Sequence, residues 1–300
     1  MNTDNTIEIF EYNAFTEQPF AGNPAGVVTD ASGLEDDTMQ RIARQMNLAE
    51  TAFLVPPSTA DADVRLRWFT PAMEVELCGH ATIAAFTAAA ERGVFPVADD
   101  EVRELKVETL SGVLRVRIAR RDGRPEVAMQ IPMPTFEPLE LDRQAFATLW
   151  GVTAGDLAGD WLVHSGLDYW YIPVPDQQIL QSLTLDVERL ALIDSTAAFT
   201  FWTTDTIDAD SDWHLRFFAP FHGVTEDIVT GSAQGPMGAV YLKSRGSAVQ
   251  EGWLELRGEQ GDCLGRPGRV RVRVLQENGA VTDVEIAGGA VPMLEGRIRL

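Results

Sequence analysis

Apolar and polar positions alternate in short runs along most of the chain, the period of half-buried strands. Ile7–Phe15 and Val64–Phe69 read as strands in this way, with Glu50–Val55 as a third. A turn over Pro19–Pro24, broken by Gly22, Asn23 and Pro24, leads into a short strand from Ala25 to Val28. Helical spacing intervenes at Asp36–Met46, where two acids open the segment and Ile42 and Met46 share a face. An alanine-rich helix is predicted over Ala81–Arg92, stopped by Gly93 as its glycine cap. Val102–Ala119 carries a Ser111-Gly112 hairpin signal between two alternating runs.

The second half repeats the style. Strands are expected within Trp161–Pro173, and at Phe199–Thr204, Trp213–Phe218, Trp253–Leu256, Val270–Leu275 and Val281–Ile286. A helix is predicted over Gln234–Lys243, and a last apolar stretch, Arg297–Leu300, follows Gly288-Gly289. Many short strands with few helices predict sheet-rich α+β domains, each built around a helix.

An internal repeat sharpens this picture. Arg67-Trp68-Phe69-Thr70-Pro71 matches Arg216-Phe217-Phe218-Ala219-Pro220. Downstream, Glu74 and Cys78-Gly79-His80-Ala81 match Glu226 and Thr230-Gly231-Ser232-Ala233, the second copy being three residues longer. Two matches in register favour two homologous domains. In both, Gly-X-Ala stands where a loop enters a helix, a place whose unpaired N–H groups and positive dipole end bind a carboxylate without a cationic side chain. Near these loops His80, Asp227, Cys78, Glu74 and Glu226 are the acid/base candidates.

Charge limits the partners. The 300 residues hold 24 Lys and Arg against 45 Asp and Glu, a net charge of −21, and only Lys106 and Lys243 are lysines. Such a chain is not expected to bind nucleic acid or an anionic membrane. The charge divides evenly, with 13 basic and 24 acidic residues in 1–150 against 11 and 21 in 151–300. Met1 to Phe15 has no basic n-region, Leu77–Ala90 is too short to span a bilayer, and Cys78 and Cys263 form no CxxC pair. A cytoplasmic protein is expected. His164, His214 and His222 lack zinc-ligand spacing, so no metal is expected. Asp208–Asp212 starts like a calcium loop, but Trp213 replaces the turn glycine and Ala219 the bidentate glutamate; a polar hairpin turn is the better reading. Trp161, Tyr169, Trp170 and Tyr171 read as core or site wall.

Four segments resemble the PhzF-like phenazine-biosynthesis family of the diaminopimelate-epimerase-like superfamily. They are Phe20-Ala21-Gly22-Asn23-Pro24-Ala25-Gly26-Val27, Met46-Asn47-Leu48-Ala49-Glu50-Thr51-Ala52-Phe53, Phe69-Thr70-Pro71 on to Cys78-Gly79-His80-Ala81-Thr82, and Phe218-Ala219-Pro220 on to Gly231-Ser232-Ala233 with Gly235-Pro236. The resemblance covers essentially the whole chain. It implies two pseudo-symmetric domains, each a curled β-barrel-like sheet around a central helix, with the site in the cleft between them. Their expected bounds are 1–128 plus 287–300, and 129–286.

By the same resemblance Glu50 is the acid/base residue, with His80, Asp227 and Ser232 as its catalytic companions. Asn23, Cys78, Gly79, Ala81, Thr230, Gly231 and Ala233 would bind substrate. The implied reaction is an isomerisation of a small anionic metabolite, without cofactor, in a homodimer. Residue chemistry agrees: a glutamate in apolar surroundings titrates nearer neutral pH, and preorganised N–H donors at Gly79 and Gly231 suit a developing negative charge.

Two departures qualify the resemblance. Cys78 stands where racemases of the superfamily have one of two catalytic cysteines, but its counterpart is Thr230, which disfavours a two-thiol racemase. Ile228 follows Asp227 where many relatives have proline, which is expected to alter loop stiffness. The alternatives are an epimerase pairing Cys78 with Glu50, and a small-acid-binding protein without turnover.

Overall fold

The computed structural model describes residues 6–157, 159–186, 188, 196–246 and 251–300; the first five residues of the stretch read as unlike a signal peptide lie outside them. The chain divides into two compact units, Met1–Gln130 with Glu285–Leu300, and Ile131–Val284. In chain order the first unit contains β1 (Thr6–Ala14), β2 (Asn23–Val28), α1 (Asp36–Met46), β3 (Thr51–Val55), β4 (Val64–Phe69), β5 (Glu74–Val75), α2 (Gly79–Glu91), β6 (Arg103–Thr109), β7 (Gly112–Arg121) and β8 (Arg124–Ile131). The second contains β9 (Phe136–Pro138), α3 (Arg143–Leu149), β10 (Leu162–His164), β11 (Tyr169–Pro173), α4 (Gln177–Ser182), β12 (Ala198–Thr203), β13 (Trp213–Ala219), β14 (Val224–Asp227), α5 (Gly231–Arg245), β15 (Gly252–Gln260) and β16 (Gly268–Glu277), and β17 (Ala280–Gly288) runs across the boundary between the two. The last strand, β18 (Ala290–Arg299), returns to the first unit and pairs antiparallel with β1.

The two units share a strand order. In the first, β1–β2 is antiparallel, β2–β3 parallel, β3–β4 and β4–β5 antiparallel, β4–β6 parallel and β6–β7 antiparallel. In the second, β10–β11, β11–β12, β12–β13, β13–β14, β13–β15 and β15–β16 follow the same series. This is the α+β, epimerase-like architecture, a sheet curled around a central helix in each unit. Residues 79–89 of α2 are buried all round, as befits a helix whose faces all meet strands. It packs on β1, β2 and β3, and α5 packs on β11 and β16.

Each unit also carries helices on the outside of its sheet. Met39, Ile42 and Ala43 of α1 cover Ile9, Val28, Phe53 and Phe69. In the second unit Phe146 of α3 centres a cluster with Trp150, Trp161, Trp170, Phe199 and Phe201, ring centroids lying 5.2–6.2 Å from it. Helix α3 has no long periodic run in the sequence; Asp142 starts it by accepting the N–H groups of Gln144 and Ala145. Helix α5 begins three residues before the predicted Gln234, because burial outweighs the poor propensity of Gly231, Ser232, Gly235 and Pro236. Gly93 lies one residue beyond the C-cap of α2, Arg92, with φ 76. Strand β18 is far longer than the apolar stretch predicted there, its exposed positions hiding the alternation.

The 208–212 segment joins β12 to β13 as the expected polar turn, and its acids are taken by cations. Asp208 and Asp210 pair with Arg257, and Asp208 with Arg269. Behind it Glu259, fully buried, accepts the N–H groups of Ile207 and Asp208 and lies 3.0 Å from His214 Nδ1. Burial pushes the Glu259 carboxyl up, but His214, the two N–H groups and Arg269 outweigh it and hold it at about 2.

Candidate active site

The first unit gathers three of the expected side chains. Helix α1 is capped by Asn47, whose left-handed conformation (φ 52) turns the chain back, and four residues later β3 begins. Glu50 therefore precedes the strand, and its carbonyl accepts the N–H of Gly26 on β2 at 3.0 Å. That approach needs glycine: a Cβ on Gly26 would come within 2.7 Å of Thr51 Oγ1. Cys78 is the N-cap of α2, so Gly79, His80 and Ala81 begin the helix with N–H groups that have no intrahelical acceptor. The first helical bond runs from Thr82 N to Cys78 O, reinforced by Thr82 Oγ1 at 2.6 Å.

His80 lies between the other two. Its Nε2 is 3.2 Å from Glu50 Oε2, and its Nδ1 is 3.5 Å from Cys78 Sγ. His80 and Cys78 are only 5% and 6% exposed, whereas the Glu50 side chain keeps 20%. Nε2 is a buried atom within ion-pair range of Glu50 but without hydrogen-bond alignment. Among the described residues these three alone bring possible metal-ligand atoms within 4.8 Å of one another.

The second unit arranges its counterpart differently. Thr230 is the N-cap of α5, and its hydroxyl donates to Asp227 Oδ2 at 2.6 Å. Asp227 Oδ1 accepts the N–H of Ile228 at 2.9 Å, a bond that a proline at 228 could not make. Buried Gln260 completes the loop, accepting Thr230 N–H and donating to Asp227 O. Ser232 Oγ is 3.3 Å from Tyr169 Oη, whose ring stacks edge-on against Phe217. Ala233 is spoken for twice: its N–H donates to Thr230 O and its carbonyl accepts from Tyr171.

Two candidates are corrected. Glu74 and Glu226 were expected among possible acid/base groups, but Arg67 grips both oxygens of Glu74 at 2.7 Å and Arg216 both oxygens of Glu226 at 2.8 Å. A carboxylate with both oxygens taken by a guanidinium serves to hold its short strand in place. Asn23 is buried at the start of β2. Tyr169, read only as core or wall, reaches a candidate residue, which a single aromatic in a strand gives no sign of.

Residues 12–296 match the family described as phenazine biosynthesis-like protein, PhzC–PhzF. The chain belongs to this family. The uncharacterized isomerase YfhB of Bacillus subtilis is 35% identical over 95% of the chain and 96% of its own length. The trans-2,3-dihydro-3-hydroxyanthranilate isomerase of Pseudomonas aeruginosa is 30% identical over 96% of the chain and 98% of its own. A PhzF-family crystal structure from Bacillus anthracis superposes with TM-score 0.88 at 32% identity, covering 98% and 99%. The chain is thus an isomerase of the PhzF family, and no helix among the described residues is long and apolar enough to cross a membrane.

Proposed function

We propose that this PhzF-family isomerase moves a proton between carbons of a small carboxylate-bearing metabolite, without a cofactor. One observation carries the reading: a partly exposed Glu50 beside buried His80 at the start of α2. Glu50 takes a proton from a C–H adjacent to an unsaturated or carboxylate-bearing carbon. The electron pair of that bond moves into the neighbouring π system, and negative charge develops on a substrate oxygen. The N–H groups of Gly79 and His80 and the positive end of α2 stabilise that charge. Protonated Glu50 then returns the proton to a different carbon, so atoms and charge balance.

In the second unit we assign Ser232, with Gly231, to substrate contact, and Asp227 and Thr230 to holding the start of α5; the repeat and the bonds within that loop support this. A cytoplasmic homodimer belongs to the same proposal, supported by the family resemblance alone. An epimerase reading draws on the closeness of Cys78 to His80.

The test is isotopic. Incubated in deuterated water, first with the dihydrohydroxyanthranilate of the P. aeruginosa relative and then with other small unsaturated acids, the enzyme should place deuterium on a substrate carbon. Glu50→Gln should lower that exchange about a thousandfold. Undiminished exchange in Glu50→Gln would remove Glu50 as the base. Loss of exchange on alkylation of Cys78, with inversion at the labelled carbon, would favour the epimerase.

A further inference from the structure

We propose that Cys78 fixes the tautomer of His80, so that His80 meets the substrate as an Nε2–H donor and leaves Glu50 as the only base. The inference rests on the reading of His80 as a substrate-contacting residue, and its observations come from both sides of one ring. A neutral imidazole has one nitrogen that donates and one that accepts, and its neighbours select which is which. On one side lies the Cys78 thiol, 3.5 Å from Nδ1 and buried with it. A thiol is a weak donor, and its S–H directed at Nδ1 makes that nitrogen the acceptor. On the other side lies the Glu50 carboxylate, 3.2 Å from Nε2. An ionised carboxylate only accepts, so a lone pair on Nε2 would face another lone pair, whereas an N–H there is attracted. Both neighbours select the same form.

The local backbone explains why this pairing is possible. Cys78 is extended (φ −147, ψ 112) and Gly79 is the first helical residue, so the chain turns between the two side chains and brings them to one side. The alignment of Nε2 supplies the second half of the argument. Its atom is buried and lies off the hydrogen-bond line to Glu50, so its N–H has no well-directed protein acceptor. A buried donor of this kind is costly when empty and valuable when a ligand oxygen meets it. A substrate carboxylate, carbonyl or hydroxyl oxygen is the chemistry that fits. Cys78 acts here as a positioning residue, touching His80 and not the reacting atoms.

The experiment reads the ring directly and needs no substrate. The chain carries four histidines, so [15N]histidine labelling gives four ring systems in a long-range proton–nitrogen spectrum. His80 is assigned by its absence from the spectrum of His80→Gln. The expected wild-type pattern at neutral pH is a protonated Nε2 and an unprotonated Nδ1. Cys78→Ala should shift the Nδ1 resonance toward that of an acceptor without a partner, and Cys78→Ser, which keeps a donor, should restore it. Proton exchange at substrate carbon should fall about three- to tenfold in kcat for Cys78→Ala, with KM little changed and rescue by Cys78→Ser.

Three spectra would overturn the inference: a proton on Nδ1 alone, protons on both nitrogens as in a thiolate–imidazolium pair, or an Nδ1 signal indifferent to Cys78→Ala. If Cys78→Ala does not fold, the wild-type spectrum still decides the first two outcomes, and Cys78→Val, which also lacks a donor, decides the third. Failure here leaves the Glu50→Gln exchange test untouched, so the two readings fall separately.

Discussion

Arg67 and Arg216 occupy matching positions in the two units and do the same work. Each is the fourth residue of its strand, each grips the glutamate of the short strand that follows with two nitrogens, and each guanidinium lies over an aromatic ring two residues on, Phe69 at 5.1 Å and Phe218 at 4.8 Å. The chemistry nearby does not match. Thr51 lies opposite Phe69, and Phe199 lies opposite Phe218, so the residue in the register of Glu50 is Ala198. Cys78 and His80 correspond to Thr230 and Ser232, which bond to Asp227 and Tyr169 instead. Both units keep the arginine–glutamate clamp, while among the described residues a glutamate within ion-pair range of a histidine at the helix start is found only in the first.

This comparison can be strained at several points, in order of expected effect. Replacing Arg216 by Met should cost about 3–5 kcal/mol of stability, since it strands the largely buried Glu226 and also removes donors to the carbonyls of Leu180 and Leu183. Arg67→Met should cost less, roughly 2 kcal/mol, because its second partner, Asp36, is exposed and rehydrates easily. Denaturant titrations of the two variants measure the difference; equal losses would mean that the clamps are energetically alike.

Acid should single out the second unit. The Glu259 carboxyl is lowered from an ordinary 4.5 to about 2 in the folded protein. A depressed carboxyl contributes stability that is complete above its unfolded value and is lost as pH falls from about 4.5 toward 2. The loss approaches about 3 kcal/mol. Denaturant midpoints followed from pH 7 to 3 should drop more steeply for the wild type than for Glu259→Gln. Parallel curves would show that Glu259 is not the group responsible.

Ile228→Pro deletes the N–H donated to Asp227 Oδ1. About 1 kcal/mol should be lost, less whatever the stiffer chain returns. A gain in melting temperature would show that stiffness outweighs the bond. The smallest effect concerns the charge of −21, which repels an anionic substrate at long range. Screening by salt should therefore raise kcat/KM a few-fold. A falling trend would contradict an anionic substrate.

Much of the fold was legible because period, caps and repeat agreed. The helix over Asp36–Met46 and the strand over Val64–Phe69 match their predicted bounds, and the repeat pointed to two similar strand–loop–helix passages. The missed pieces share a cause. Helices α3 and α4 are too short for periodicity to register, and the first turn of α5 is rich in glycine with a proline behind it. The sequence also put Glu74 and Glu226 among the acids without showing that an arginine seven or ten residues earlier closes over each.

What the sequence determined by itself was therefore local and periodic: which segments are strands, where two helices start, and that two halves repeat a motif. Its resemblance to a known family added the candidates Glu50, His80, Asp227 and Ser232. Only the tertiary structure decided which acids are clamped, that His80 turns one nitrogen to Glu50 and the other to Cys78, and that Ala198 stands in the register of Glu50. The physical reason is range. Hydrophobic period and capping are set within a few residues, whereas the state of a carboxylate or an imidazole depends on groups that strand register and helix packing bring within about 3 Å.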